Sequence, residues 1–299
     1  MGAVVNQVTL RKGLNAAFVK AFNNGEDPAD VMPFIMQTKS TSNKEDYGWL
    51  GQSPNLTEWV DQRKLKALNE FEYTIPNRKF EGTLSVDEDS IEDDQLGNVD
   101  IRINDLANKA RQHPRQLFYE QIIKGDTELA YDGATFFSAS HQEGASGVQS
   151  NIVSGSGVTL ANLKTDLIAA NNRLRSFLDD VGQPFNEGEV QWGIVCPVGL
   201  EFLFDELNTE VQISSSTNSI KGKIKKITSS VRLSGNDWYL SDLNGVMSPI
   251  IQQNRRAPRF VQQKEDSDSG FMSGVHNFGV DYRVGFGFGL WQKMIKINN

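Results

Sequence analysis

The sequence predicts an α+β fold. Two stretches within residues 71–86 alternate apolar and polar residues in the manner of strands, and two longer stretches within 90–181 repeat apolar residues at helical spacing. These segments follow one another without a regular βαβ repeat, and no internal sequence repeat is present. At 299 residues the chain makes one large domain or two, and it can bury enough apolar surface to fold without disulfide staples.

Taken in order, Thr9 is placed to cap a helix that carries Leu10, Leu14, Ala17, Phe18 and Ala21 on one face and ends near Asn23-Asn24-Gly25. From Thr38 to Asp46 the chain is polar. Tyr47, Trp49, Leu56 and Trp59 then appear among Gly, Pro and Asn without a sustained period, an excursion whose apolar groups need a partner surface. Phe71–Ile75 and Lys79–Val86 read as the two strands of a hairpin, with Pro76-Asn77-Arg78 as its turn.

Ser90 is a good cap for the next helix, and Asp93 three residues later suits the positive end of a helix dipole. That helix carries Ile103, Leu106, Ala107, Ala110, Leu117, Phe118 and Ile122 and closes at Gly125, while Pro114 predicts a kink or a break. The Gly- and Ser-rich run from Glu143 to Gly157 reads as an exposed, mobile connection. Leu160 to Val181 gives the clearest amphipathic helix, closed by Gly182 and Pro184. Val190 to Val195 reads as a buried strand, and Pro197 starts a helix through Leu203 and Leu207. Beyond Asn208 the polar stretch to Ile220 reads as loop. Val231–Leu233 and Trp238–Leu240 read as strands, and Phe278 to Ile297 as a Gly-rich strand-like tail.

Composition excludes several classes of function. Nine acids between Glu81 and Asp105 face Arg102 alone, and that segment carries the whole net charge of -8. Nucleic-acid binding rests on phosphate neutralisation by Lys and Arg, which an acidic chain supplies poorly. Arg11 and Lys12 interrupt the first twenty residues, so no secretory signal is expected, and no uncharged run is long enough to span a bilayer. A soluble protein made in the cytoplasm is the expectation. The single Cys196, behind Gly193-Ile194-Val195, reads as a buried strand-end residue and not a nucleophile.

The residue types of several catalytic and binding sites occur, but their contexts do not fit. Asp132, Ser138 and His141 supply the members of a hydrolase triad, yet no Gly-x-Ser-x-Gly elbow surrounds Ser138. A turn at Asp132-Gly133 with Phe136 and Phe137 packed inward and His141 hydrogen-bonded is the simpler reading. Gly285, Gly287 and Gly289 lack the following helix and distant acid of a dinucleotide loop, and alternate with Phe as expected for close backbone approach. Asp266 to Gly270 begins like a calcium loop with its glycine one place early, and His113, His141 and His276 are isolated. No metal or cofactor is expected.

The run Tyr131-Asp132-Gly133-Ala134-Thr135-Phe136-Phe137-Ser138-Ala139-Ser140-His141 resembles a signature of the major head subunit of Mu-like phages. Ile91 to Gly97, Trp238 to Asp242 and Gly285 to Gln292 agree with it, in the family's order, so that the resemblance extends from about Tyr47 to the C-terminus. It implies the Hong Kong 97-type phage capsid fold: an N-terminal arm (1–46), an extended loop (47–86), a spine helix and peripheral domain (87–189), an axial domain (190–249) and a return to the peripheral domain (250–299). It also implies a structural protein of the virion, with no enzymatic activity. Hexamers and pentamers would close into an icosahedral shell around double-stranded DNA, with scaffold, portal and decoration proteins as partners. A nanocompartment shell of the same fold is the alternative, and a hydrolase using Ser138 and His141 is a more distant one.

On this reading, Trp49, Leu56, Trp59 and Phe71 are candidates for burial on a neighbouring subunit. Asp93 and Asp94 are candidates to face a basic patch formed by Arg255, Arg256 and Arg259, or by Lys221, Lys223, Lys225 and Lys226. Lys64 and Lys66, with Asn298 and Asn299, have the residue types of an isopeptide cross-link.

Overall fold

The computed structural model describes residues 7–25, 28–48, 50, 72–87, 96–186, 188–213, 216–263 and 275–299. The helices are α1 (Gln7–Asn24), α2 (Leu96–Lys124), α3 (Leu160–Arg175) and α4 (Val198–Thr209). The strands begin with β1 (Ile35–Lys39), β2 (Lys44–Asp46), β3 (Thr74–Pro76), β4 (Arg78–Asp87), β5 (His141–Gln142), β6 (Val148–Gln149) and β7 (Ile152–Ser154). They continue with β8 (Trp192–Pro197), β9 (Gln212–Ile213), β10 (Ser216–Thr217), β11 (Ile224–Ser230), β12 (Trp238–Asp242), β13 (Ile250–Gln262), β14 (Val275–Phe288) and β15 (Met294–Asn298).

Helix α1 spans Gln7–Asn24, and the side chain of Thr9, the expected cap, lies outside the described residues. Leu14 and Phe18 pack with Val99, Ile103, Ala107 and Ala110 of α2 and with Phe278 and Val280 of β14. The last turn of α1 has no basic residue of its own, and Arg111 of α2 donates to the Ala21 and Phe22 carbonyls at 3.1 and 3.0 Å. Those otherwise orphaned acceptors are thereby satisfied across the helix pair.

Pro114 does not divide α2, which runs unbroken for 29 residues. An interior proline costs a helix about 3 kcal/mol. Burial offsets this on either side of it: Ala107 and Ala110 lie in the cluster with α1, Leu117 packs with Tyr282 and Val284, and Phe118, Tyr119 and Ile122 enter the main core. Ser90 lies outside the described residues.

Two sheets organise the chain. The first has the order β1-β13-β14-β4, with β1 parallel to β13 and the other pairs antiparallel. The hairpin expected between Phe71–Ile75 and Lys79–Val86 does not form: β3 pairs with β2, and β4 pairs with β14. Asn77 is the one residue between β3 and β4, too little for a reversal. Its buried amide instead donates to Ser40 Oγ at 2.6 Å and to the Ser42 carbonyl at 2.9 Å, which fixes the crossing from one pairing to the other. Close approach of β3 to β14 explains the alternating glycines. A Cβ on Gly287 would fall 2.5 Å from Ile75 Cδ1, and one on Gly285 2.8 Å from the Pro76 carbonyl oxygen.

The second sheet has the order β11-β8-β12-β15-β7. Every residue of β8 and β12 is buried, as central strands covered on both faces require. Phe34 lies so close over β8 that a Cβ on Gly193 would meet its ring at 2.6 Å. Strand β15 brings the chain end into this sheet, antiparallel to β12 and parallel to β7. The expected strand at Val231–Leu233 is a turn, with Val231 86% exposed; the strand lies earlier, at β11. Lys225 and Lys226 hide it in the sequence, because β11 is an edge strand paired on one side only.

Thr159 caps α3 through the Asn162 N–H, and the helix stops at Arg175 instead of continuing to Val181. Phe177 turns inward, and the backbone of Leu178 is bracketed by the Gln149 side chain, which donates to its carbonyl at 3.1 Å and accepts from its N–H at 2.7 Å. Pro197 stands at the N-cap of α4, where its missing N–H is no loss. No helix among the described residues is long and apolar enough to cross a membrane.

Candidate functional site

The segments 131–141 and 285–292 meet in one buried polar knot. The turn at Asp132-Gly133 uses a left-handed glycine (φ 82°), and Asp132 Oδ1 accepts the Ala134 N–H at 3.2 Å. This aims Phe136 and Phe137 inward. Phe136 stacks on Phe288 with ring centroids 4.3 Å apart, and Phe137 lies 5.1 Å from Tyr239 of β12. His141 is fully buried and stacks on Trp291 at 4.1 Å with a 2° interplanar angle.

Both nitrogens of His141 are occupied. Nδ1 lies 2.6 Å from Asp132 Oδ2, while Nε2 lies 3.2 Å from the Phe136 carbonyl oxygen and 3.3 Å from Asn151 Oδ1. Ser138 Oγ is instead 3.1 Å from Ser140 Oγ and accepts the Ser140 N–H. A triad requires the imidazole to face the serine hydroxyl. Here the aspartate and histidine are paired, and the third member points into a local serine turn.

Glu143 sits beside this pair and is the knot's second polar centre. Its Oε1 accepts from Trp291 Nε1 at 2.7 Å, from Gln292 Nε2 at 2.8 Å and from the Tyr131 hydroxyl. Its Oε2 is buried without a hydrogen-bond partner among the described residues. Burial pushes the Glu143 carboxyl above its ordinary value of 4.5, against the lowering effect of its donors; burial likewise pushes the Tyr131 phenol well up, so it stays a donor. The sequence reading placed Glu143 in an exposed loop, yet Glu143, Ser146 and Asn151 are all buried. No local signal marks Glu143, whose partners lie 12 and 148 residues away.

This has a measurable consequence. Because the folded state holds the Glu143 proton more tightly than the unfolded chain, the stability it contributes is greatest below pH 4.5 and falls as pH rises through the raised folded value. Glu143→Gln cannot titrate, so its stability relative to the parent is expected to rise across that same window. Urea unfolding at pH 4 and pH 8 measures this, and parallel stability curves for the two proteins would contradict it.

A third segment, Trp238 to Asp242, forms β12 and joins the knot through the 3-10 helix Trp291–Lys293. Asp242 Oδ2 holds Lys293 Nζ at 2.7 Å in a nearly buried ion pair, and Asp242 Oδ1 accepts from the Gln191 and Asn244 N–H groups at 3.1 Å each. Ser241 Oγ donates to the Lys293 carbonyl at 3.0 Å. Cys196 is buried in β8, and burial pushes its thiol up to about 12, which suits packing and not nucleophilic chemistry. Among the described residues, no group of three or more His, Cys, Asp or Glu side chains is placed to hold a metal ion.

The candidate contact residues fall into two sets. Trp49, Leu56, Trp59, Phe71, Asp93 and Asp94 lie outside the described residues, as do Lys64 and Lys66. Of the arginines on β13, Arg256 and Arg259 both donate to Asp281 of β14 at 2.8 Å, and Arg259 adds a second bond at 3.1 Å. The Arg259 hydrogen bond, aided by the charges of Arg256 and Lys79, holds the Asp281 carboxyl below its usual range. Arg255 is exposed. At the chain end, Asn299 accepts the Gly157 N–H at 3.0 Å through its side chain, and its backbone N–H donates to Asp237 at 3.1 Å.

A family model for the Mu-like prophage major head subunit gpT matches residues 8–163 and 226–299. The Mu-like prophage FluMu major head subunit of Haemophilus influenzae is 27% identical over 286 residues, which span 95% of this chain and 71% of that protein. The major capsid protein of Escherichia phage Mu is 26% identical over 289 residues, 96% of this chain and 72% of its own length. A chain of the bacteriophage JBD30 procapsid has the same fold, with a TM-score of 0.59 at 24% identity, covering 97% of this chain and 75% of that one. With its family's model matched over more than half its length, the chain belongs to the Mu-like prophage major head subunit family, has the Hong Kong 97-type phage capsid fold and is a major capsid protein.

Proposed function

We propose that copies of this chain assemble as hexamers and pentamers into an icosahedral shell around double-stranded DNA, and that the chain catalyses no reaction. The observation that carries the reading is the closed knot. The segments 131–141 and 285–292, which hold the residue types of an enzyme, are built into the core, with His141 and Trp291 fully buried. In this reading residues 1–46 are the arm, 47–86 the loop that reaches a neighbour, 87–189 the spine helix and peripheral domain, 190–249 the axial domain, and 250–299 the return. Scaffold, portal and decoration proteins are its partners in the virion, and synthesis takes place in the host cytoplasm. Arg255 is the arginine of β13 left for an acid on another subunit, since Arg256 and Arg259 serve Asp281.

Electron microscopy and light scattering of the purified protein test this. Closed shells or capsomer-like rings are expected, and a stable monomer at every salt and protein concentration would overturn the reading. Ser138→Ala is expected to assemble as the parent does. An ester-hydrolysing activity present in the parent and lost in Ser138→Ala would favour the hydrolase instead.

A further inference from the structure

Two patches of opposite character lie around α4 and the edge of the second sheet without engaging each other. The outer face of α4 exposes Phe202 (79%) and Val198 (41%), one turn apart, with the exposed carboxylates of Asp205 and Glu206 on the next turn. A lone phenyl so exposed, flanked by acids, is a poor solvent surface and a good contact residue. Neither acid makes an ion pair among the described residues.

The other patch is a cleft of about 680 Å³ between the end of α3 and the starts of β8 and β11, ample for an aromatic side chain. Val190 and Trp192 supply its apolar lining, and Arg175, Lys223 and Lys225 its charge, with Glu189 the one acid in the lining. Lys223 Nζ stands 5.9 Å from the centroid of the Trp192 ring, whose indole N–H is fixed to Asn171 Oδ1 at 3.0 Å. Arg175 closes α3, where a cation suits the negative end of the helix dipole, and Lys225 also guards an edge strand. Neither role calls for Lys223, and none of the three cations has a carboxylate partner among the described residues.

We propose that the cleft is a socket for a second copy of this chain, and that Phe202, with Asp205 and Glu206, is the knob that enters it. This rests on the capsid-subunit reading. An apolar group with adjacent acids on one patch matches an aromatic floor with adjacent cations on the other. Because knob and socket are different surfaces of one chain, the contact is heterologous and propagates from copy to copy, closing into rings when the rotation allows. Nucleic acid is the less suitable occupant, since three cations and an acid around an aromatic floor offer little phosphate neutralisation.

The test is a charge exchange on the full chain, read by light scattering and electron microscopy. Lys223→Glu with Lys225→Glu, and separately Asp205→Lys with Glu206→Lys, are expected to melt like the parent while losing assembled material roughly tenfold or more at low salt, because like charges then face each other. All four substitutions in one chain are expected to restore assembly. Mixing the two reversed proteins is also expected to restore assembly, as alternating copies, because the knob of each then meets the socket of the other with opposite charge. Reversed chains that assemble like the parent would overturn the proposal, whether unchanged otherwise or weakened only in binding double-stranded DNA, and so would a four-fold variant that stays dispersed. A parent that never assembles would instead overturn the capsid reading, and the contact with it. Phe202→Cys with Lys223→Cys gives an answer independent of charge: air oxidation, two thiols giving up their hydrogens to dissolved oxygen, is expected to link copies into a ladder of covalent multimers. Thiols that remain free in assembled material would overturn the contact.

Discussion

Trp291→Ala is expected to destabilise the subunit by about 3 to 5 kcal/mol, the range for removing a buried aromatic from a core that cannot collapse around the loss. Trp291 is fully buried and does three things at once. Its ring stacks on His141 at 4.1 Å, receives the edge of Phe177 at 5.0 Å, and donates to Glu143 at 2.7 Å. Truncation therefore leaves a cavity beside a buried histidine and withdraws a donor from a buried carboxylate. Trp291→Phe separates the two effects, since it keeps most of the stacking and loses only the N–H. Its cost is expected to be smaller, about 1 to 3 kcal/mol for the unmade hydrogen bond. Urea unfolding followed by far-ultraviolet circular dichroism measures both. A loss under about 1 kcal/mol for the alanine protein, no more than an ordinary substitution, would mean that the knot does not hold the core.

The knot also shows what can and cannot be read from a linear sequence. Pro197 marks the start of α4, and the apolar spacing that opens at Leu160 marks that of α3, because helix starts follow local chemistry and periodicity. The end of α3 is not legible in the same way. Phe177, Leu178 and Val181 continue the helical spacing, while Trp291 and the Gln149 amide, both distant in sequence, together with the Phe185 N–H on the Phe177 carbonyl at 2.8 Å, hold the chain out of the helix after Arg175. Alternation identified residues 79–86 as a strand but could not choose its partner, which is β14, some 190 residues on. Pro114 states a local penalty and says nothing of the packing that offsets it. In the same way Asp132, Ser138 and His141 could be counted in advance, whereas the direction of His141 Nε2 toward the Phe136 carbonyl depends on how β5 and the Phe136 turn fold together. The family segments were legible because each is short and contiguous; the meeting of 131–141, 238–242 and 285–292 in one knot is a property of the fold, and residues 91–95 lie outside the described residues.

Lys293→Met is expected to cost as much as the loss of Trp291, about 3 to 5 kcal/mol, because it leaves a buried carboxylate without its cation. The Asp242 and Lys293 side chains are only 4% and 10% exposed and lie 2.7 Å apart. Lys293 Nζ also donates to the Asn244 carbonyl at 3.2 Å, so the pair fixes the loop after β12 as well as the 3-10 helix that carries Trp291. The pair need not be a net source of stability. Desolvating both charges offsets much of their attraction, and a neutral replacement of similar size is often tolerated. Asp242→Asn combined with Lys293→Met is therefore expected to recover most of the loss, since the asparagine carbonyl can still accept from Gln191 and Asn244. Recovery in unfolding free energy with normal shells would mean that the pair is needed only as a pair. Recovery of stability with defective shells would give it a second task, holding β12 in the register that assembly requires. A Lys293→Met protein as stable as the parent would contradict the argument at its first step, because the Asp242 charge would then have to be reached by water.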